Sequence, residues 1–99
     1  MRYKIKEDIS ETEVALAEIH SVIDGMAAKW PSNILARRSV STFTGGLFST
    51  KYLANEDSAR RGPSGGFSVN GSKVYPVSSF VTWLKERAAV SWSKRKSAV

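Results

Sequence analysis

The chain contains no cysteine, a single histidine, and no apolar run approaching the roughly 20 residues needed to cross a bilayer. Without cysteine there is no disulfide framework, no thiolate zinc site and no cysteine nucleophile. His20 has no second histidine or cysteine to complete a metal site, and the abundant serines have no base placed beside them. Glu56 and Asp57 are the nearest thing to paired carboxylates, but neighbours on a helix point about 100° apart and do not converge. Catalysis therefore has little support, and neither an enzyme nor a cofactor or metal is expected. The opening Met1-Arg2-Tyr3-Lys4-Ile5-Lys6-Glu7-Asp8 is basic but lacks a following apolar stretch, so it does not read as a secretory signal. A soluble cytoplasmic protein with no membrane partner is the expectation.

Acidic residues are scarce beyond the first third. Residues 1–30 hold four basic and six acidic side chains, a net of −2, whereas residues 31–99 hold eleven basic and three acidic ones, a net of +8. A basic field of this kind attracts polyanions and raises encounter rates with nucleic acid. The 99 residues, 41% hydrophobic and 10% aromatic, suit one small domain with a core that needs no metal or disulfide.

From about Ser10 to Trp30, Leu16, Ile19, Val22, Ile23, Met26 and Trp30 recur at three- and four-residue steps, the stripe of an amphipathic helix. Ser10 is its expected cap, and Pro31 is its stop. A short element from about Ala36 to Phe43, with Leu35, Val40 and Phe43 as its apolar side, precedes Gly45-Gly46, which permit a tight turn at positive φ. Ser49 or Thr50 caps the next helix. That helix turns Leu53 and Ala54 inward and leaves Thr50, Lys51, Asn55 and part of Tyr52 outward. Gly62-Pro63-Ser64-Gly65-Gly66 reads as a loop.

Asn70-Gly71 between Phe67-Ser68-Val69 and Ser72-Lys73-Val74-Tyr75 is a type I′ hairpin signal. A two-residue loop pairs Phe67 with Val74, Ser68 with Lys73 and Val69 with Ser72. The expectation is that Phe67, Val69 and Val74 face the core while Ser68, Lys73 and Tyr75 face outward. Pro76 ends the second strand, and Ser78 or Ser79 is expected to cap a last helix with Phe80, Val81, Trp83 and Leu84 on its apolar face. Ser91 to Val99, with Lys94-Arg95-Lys96, reads as a basic flexible tail.

Thr44-Gly45-Gly46, Ser49-Thr50-Lys51-Tyr52-Leu53, the glycine-proline loop, and Val74-Tyr75-Pro76-Val77 leading to Trp83-Leu84-Lys85-Glu86-Arg87 form an ordered set. Through it, the run from about Leu35 to Ala88 resembles the excisionase-like and MerR-like winged helix-turn-helix domains of small phage and mobile-element proteins. The resemblance covers a little over half the chain. It departs at the double glycine, where the family turn has one, and at the N-terminal helix, which has no counterpart in the minimal domain.

The fold it implies is mainly α with a small β-hairpin: a winged helix-turn-helix over residues 34–90, preceded by an extension (1–33) carrying the amphipathic helix and followed by the 91–99 tail. The function it implies is duplex DNA binding, by an excisionase-like recombination directionality factor or a small transcriptional regulator. Such a protein would be nucleoid-associated, with an integrase or another protein of the element as a further partner. The recognition helix would run from Thr50 to about Ala59, and the wing from Phe67 to Tyr75. The alternative class is a protein-interaction adaptor that reuses the fold.

Lys51 and Asn55 are the candidates for base edges, since asparagine pairs bidentately with adenine and lysine meets guanine or a phosphate. Ser49 and Thr50 sit where free backbone N–H groups suit a phosphate as well as a cap, with Tyr52 beside them. Arg37-Arg38, Arg60-Arg61, and Lys73 with Ser68 on the hairpin are expected to converge on one phosphate stripe. The apolar stripe of residues 10–30 needs cover, either from the Trp83 helix of the same chain or from a second copy in a homodimer.

Overall fold

The computed structural model describes residues 10–90; the basic opening segment and the 91–99 tail lie outside them. Ser10 and Glu13 form a capping box at the start of helix α1 (Glu11–Lys29). The Ser10 hydroxyl accepts from the Glu13 N–H at 3.1 Å, and the Glu13 carboxylate accepts from the Ser10 N–H at 3.3 Å. The helix stops at Trp30, whose backbone is extended ahead of Pro31. Ile23 is buried, and Ile19, Met26, Ala27 and Trp30 pack against the same core. Val22 departs from the expected stripe and is 67% exposed, because its bond vector lies about 100° from that of Ile23.

Strand β1 (Ile34–Ala36) follows, an element the periodicity of the chain did not reveal. The short element expected at 36–43 is a 3-10 turn, Arg37–Ser39, running into a single α turn, α2 (Val40–Phe43), with Ala36 closing the strand. Gly45 and Gly46 take φ of +67° and +88°, and the Gly46 N–H closes the turn on the Ser41 carbonyl at 2.7 Å. Ser49 then caps α3 (Thr50–Ser58) by accepting from the Tyr52 N–H at 3.0 Å.

The hairpin of β2 (Phe67–Val69) and β3 (Ser72–Pro76) has the expected register, with Asn70 and Gly71 both at positive φ as a type I′ turn requires. Three of its residues depart from the expectation, while Val74 is buried and Ser68 exposed as expected. Tyr75 is fully buried, whereas Phe67 and Val69 are nearly half exposed. Alternation decides which residues share a face but not which face turns inward. Here β1 decides it, by pairing antiparallel with β3 and setting Leu35 opposite Tyr75. The resulting sheet has the order β1-β3-β2, and Val74 is buried at its centre, outside the main core cluster.

Helix α4 (Val77–Arg87) starts directly from Pro76, with no serine cap. The N–H of Val77 donates to the Asn33 carbonyl at 2.9 Å, and the proline φ of −62° already suits the helix entrance, so Ser78 and Ser79 fall inside the first turn. Phe80, Val81, Trp83 and Leu84 are buried as expected, and α1 lies across this helix with Asp24 paired to Lys85 at 2.8 Å. The apolar stripe of α1 is thus covered in part within the chain: Ile23 is buried, while Leu16, Ile19, Met26 and Trp30 are half-buried. Among the described residues the protein is mainly helical with one small three-stranded antiparallel sheet. No helix among them is long and apolar enough to cross a membrane.

Candidate nucleic-acid interface

The 3-10 turn, the start of α3 and the hairpin meet around an open cleft of about 450 Å³, lined by Arg37, Arg38, Thr50, Ser68, Gly71, Ser72 and Lys73. Five of the expected DNA-contact residues therefore border one concavity although they come from three segments. Thr50 is the first residue of α3, so the unpaired backbone N–H groups of that helix begin at the cleft's edge. The Arg38 Nη1 donates to the Ser72 hydroxyl at 3.2 Å. Lys51 and Asn55 are exposed on α3, opposite the fully buried Leu53.

The remaining candidates are placed differently. Ser49 is engaged as the cap of α3. Tyr52 stacks on Phe48 with ring centroids 5.3 Å apart, and its hydroxyl accepts from Arg87 Nη2 at 2.6 Å. Arg60 and Arg61 follow the C-terminus of α3 and do not line the cleft, so the expected convergence extends to two of the three basic segments. Arg60 adopts φ of +63°, and the N–H groups of Arg60 and Arg61 bond the carbonyls of Asp57 and Glu56. This is a Schellman closure with arginine where glycine is the usual residue.

Two acidic residues of α3 that had no assigned partner are tied down behind it. Glu56 is buried and accepts from Arg61 Nε and Nη2 at 3.3 and 3.1 Å, with Arg87 Nη2 at 3.2 Å. The hydrogen bonds from Arg61 hold its carboxyl below the ordinary carboxylate value, and the charges of both arginines add to this. Asp57 Oδ2 accepts from Arg37 Nη2 and from the Tyr75 hydroxyl, both at 2.6 Å, while Arg37 Nε donates to the same hydroxyl at 3.1 Å. Burial pushes Tyr75 up to about 12. The Tyr75 hydrogen bond, followed by Asp57, raises Arg37 further above its ordinary value.

The consequence is electrostatic. With Glu56 and Asp57 neutralised from behind, the solvent face of α3 presents Thr50, Lys51 and Asn55 without a competing negative charge. Among the described residues, Arg38, Lys51, Arg60 and Lys73 enter no ion pair, whereas Arg37 and Arg61 do. Sequence periodicity held no signal for this division, because the Arg37–Asp57 and Tyr75–Asp57 bonds join residues 20 and 18 positions apart. No group of three or more metal-ligating side chains is assembled among the described residues. Comparison with family models, with curated proteins and with solved structures finds no match for the chain.

Proposed function

We propose that the chain is a winged helix-turn-helix protein of the excisionase-like class that binds duplex DNA. Helix α3 enters the major groove and the β2–β3 hairpin lies along the adjacent phosphate backbone. The observation that carries this reading is the basic cleft, in which Arg38, Lys73 and the N-terminus of α3 come together beside the exposed Lys51 and Asn55. The order of elements supports it as well: a short helix, a glycine turn, a second helix and a hairpin, held on a platform of α1 and α4. The work of such a protein is positioning rather than chemistry, either setting the direction of site-specific recombination or regulating transcription of a mobile element.

The test is binding of the full chain to a random-sequence duplex and to the DNA flanking its own gene, by fluorescence anisotropy at salt concentrations from about 50 to 200 mM. Arg38, Lys51, Arg60 and Lys73, the four expected contact cations that enter no ion pair among the described residues, predict a log Kd against log salt slope of about 3 to 4 in magnitude if each meets a phosphate. Absent or salt-insensitive binding removes the reading. A second reading, a protein-interaction adaptor, is favoured by an apolar groove of about 420 Å³ bordered by Ile19, Ile23, Met26, Leu47, Phe48 and Leu84. It gains if DNA binding fails.

A further inference from the structure

Arg37 and Arg38 are adjacent in sequence and border the same cleft, yet they stand in different electrical states. Arg38 is exposed and, among the described residues, its side chain bonds only the neutral Ser72 hydroxyl, whereas Arg37 is ion-paired with Asp57 at 2.6 Å and bonded to the hydroxyl of the fully buried Tyr75. We propose that Asp57 is a positioning residue of the DNA interface: it holds Arg37 back from the phosphates and removes one cation from the set that neutralises the DNA backbone. The proposal rests on the DNA-binding reading and assigns a role on the opposite side of the ledger from a contact residue.

Three features make the hold firm. The Asp57 carboxylate takes two short hydrogen bonds on one oxygen, from Arg37 and Tyr75. Tyr75 cannot swing away, because it is packed in the core against Phe80 and paired across the sheet with Leu35. On its other oxygen the carboxylate abuts the backbone at Gly62, where even a β-carbon would overlap it. The carboxylate is therefore boxed in between β3 and the loop that follows α3, and its side chain is only 15% exposed. A phosphate that drew Arg37 outward would leave that largely enclosed negative charge without its partner, a costly exchange compared with recruiting Arg38 or Lys73.

A phosphate contact carries no sequence information, so releasing Arg37 strengthens binding to any duplex and steepens its salt dependence. A residue that mattered only for folding would, on removal, weaken binding or leave its salt slope alone.

The experiment measures Kd for a random-sequence duplex across about 50 to 200 mM salt for the full chain and for D57N, R37Q and the double variant, each checked by thermal unfolding. Expected for D57N is tighter binding at low salt and a slope steeper by about one unit, so that its affinity falls about fourfold more than the parent's across that range. R37Q keeps the parental slope, and the double variant returns to it. A parental slope in D57N overturns the proposal, and so does a slope about one unit shallower in R37Q, which would make Arg37 a direct contact. If D57N does not fold, R37Q alone decides by the same criterion. A parent that binds DNA without salt dependence, or not at all, overturns the DNA reading itself and this proposal with it, a result distinct from a failure confined to the variants.

Discussion

The indole Nε1 of Trp83 donates to the backbone carbonyl of Arg61 at 2.6 Å, joining the middle of α4 to the segment that leaves α3. The ring itself is buried between Phe80 and Phe48 and carries the Arg87 guanidinium 4.5 Å from its centroid. Trp83→Phe keeps much of the apolar contact but leaves the Arg61 carbonyl without its donor. The expected cost is about 1–3 kcal/mol for the unpaired group, plus whatever space the smaller ring leaves unfilled. A urea midpoint within error of the parent's would show that the bond adds nothing.

Lys51→Ala and Asn55→Ala are expected to leave the unfolding midpoint nearly unchanged, since both side chains are exposed on the face of α3 opposite Leu53. DNA affinity is the quantity that should move. Asn55→Ala should cost about 1–3 kcal/mol on the preferred sequence if its contact is bidentate, and little on random duplex. Lys51→Ala, if its partner is a phosphate, should weaken both alike and reduce the salt slope by about one unit. Unchanged affinity in both variants would take α3 out of the interface.

Arg60 holds a left-handed backbone position that glycine occupies without strain. Arg60→Gly is therefore expected to raise stability by up to about 1 kcal/mol while weakening DNA binding, because the conformational relief and the lost cation act on different measurements. Chemical denaturation and anisotropy on the same variant separate the two. A fall in stability would mean that the arginine side chain contributes more to the fold than its backbone strain costs.

Much of this architecture was legible in the chain, and the failures have physical reasons. Ser10 with Glu13, Ser49, the Gly45-Gly46 turn and Asn70-Gly71 are local signals, and local geometry settled them. The inward face of the hairpin depended on β1, three residues long and too short to show a period, so Tyr75 and Phe67 were assigned to the wrong sides. The basic residues of the site were nameable one by one, and the cleft gathers three of them, Arg37, Arg38 and Lys73. Which arginines are already satisfied depends on Asp57 and Glu56 meeting partners that only the folded chain brings near.

Stability should fall at both ends of the pH range. The Glu56 carboxyl is held below its ordinary value, chiefly by hydrogen bonds from Arg61, so its contribution is present above about pH 4.5 and lost as the pH drops through the lowered folded-state value. Tyr75 behaves in the opposite sense. Burial raises it from 10.0 to about 12, so its contribution is intact below pH 10 and disappears as the pH rises toward 12. Urea midpoints across the range check both limbs. Tyr75→Phe should remove the alkaline decline attributable to this hydroxyl, and an unaltered decline in that variant would assign it elsewhere.

Helix α1 is expected to be a working part of the fold, because Ile23 is buried in the core and Ile19, Met26 and Trp30 pack against it. Trp30 meets Phe43 edge-on with centroids 5.3 Å apart and donates from Nε1 to the Ile34 carbonyl at 2.9 Å, which ties the helix end to β1. Ile23→Ala should cost about 2–5 kcal/mol as a buried truncation, whereas Val22→Ala, one position away, should change stability by less than about 0.5 kcal/mol. A fragment beginning at Pro31 would expose the flank of α4 and of Phe43, and it is expected to lose cooperative unfolding while the full chain sediments as a monomer. A Pro31 fragment as stable as its parent would show that α1 contributes nothing to the core. A dimeric parent giving a stable monomeric fragment would assign the stripe to a second copy instead.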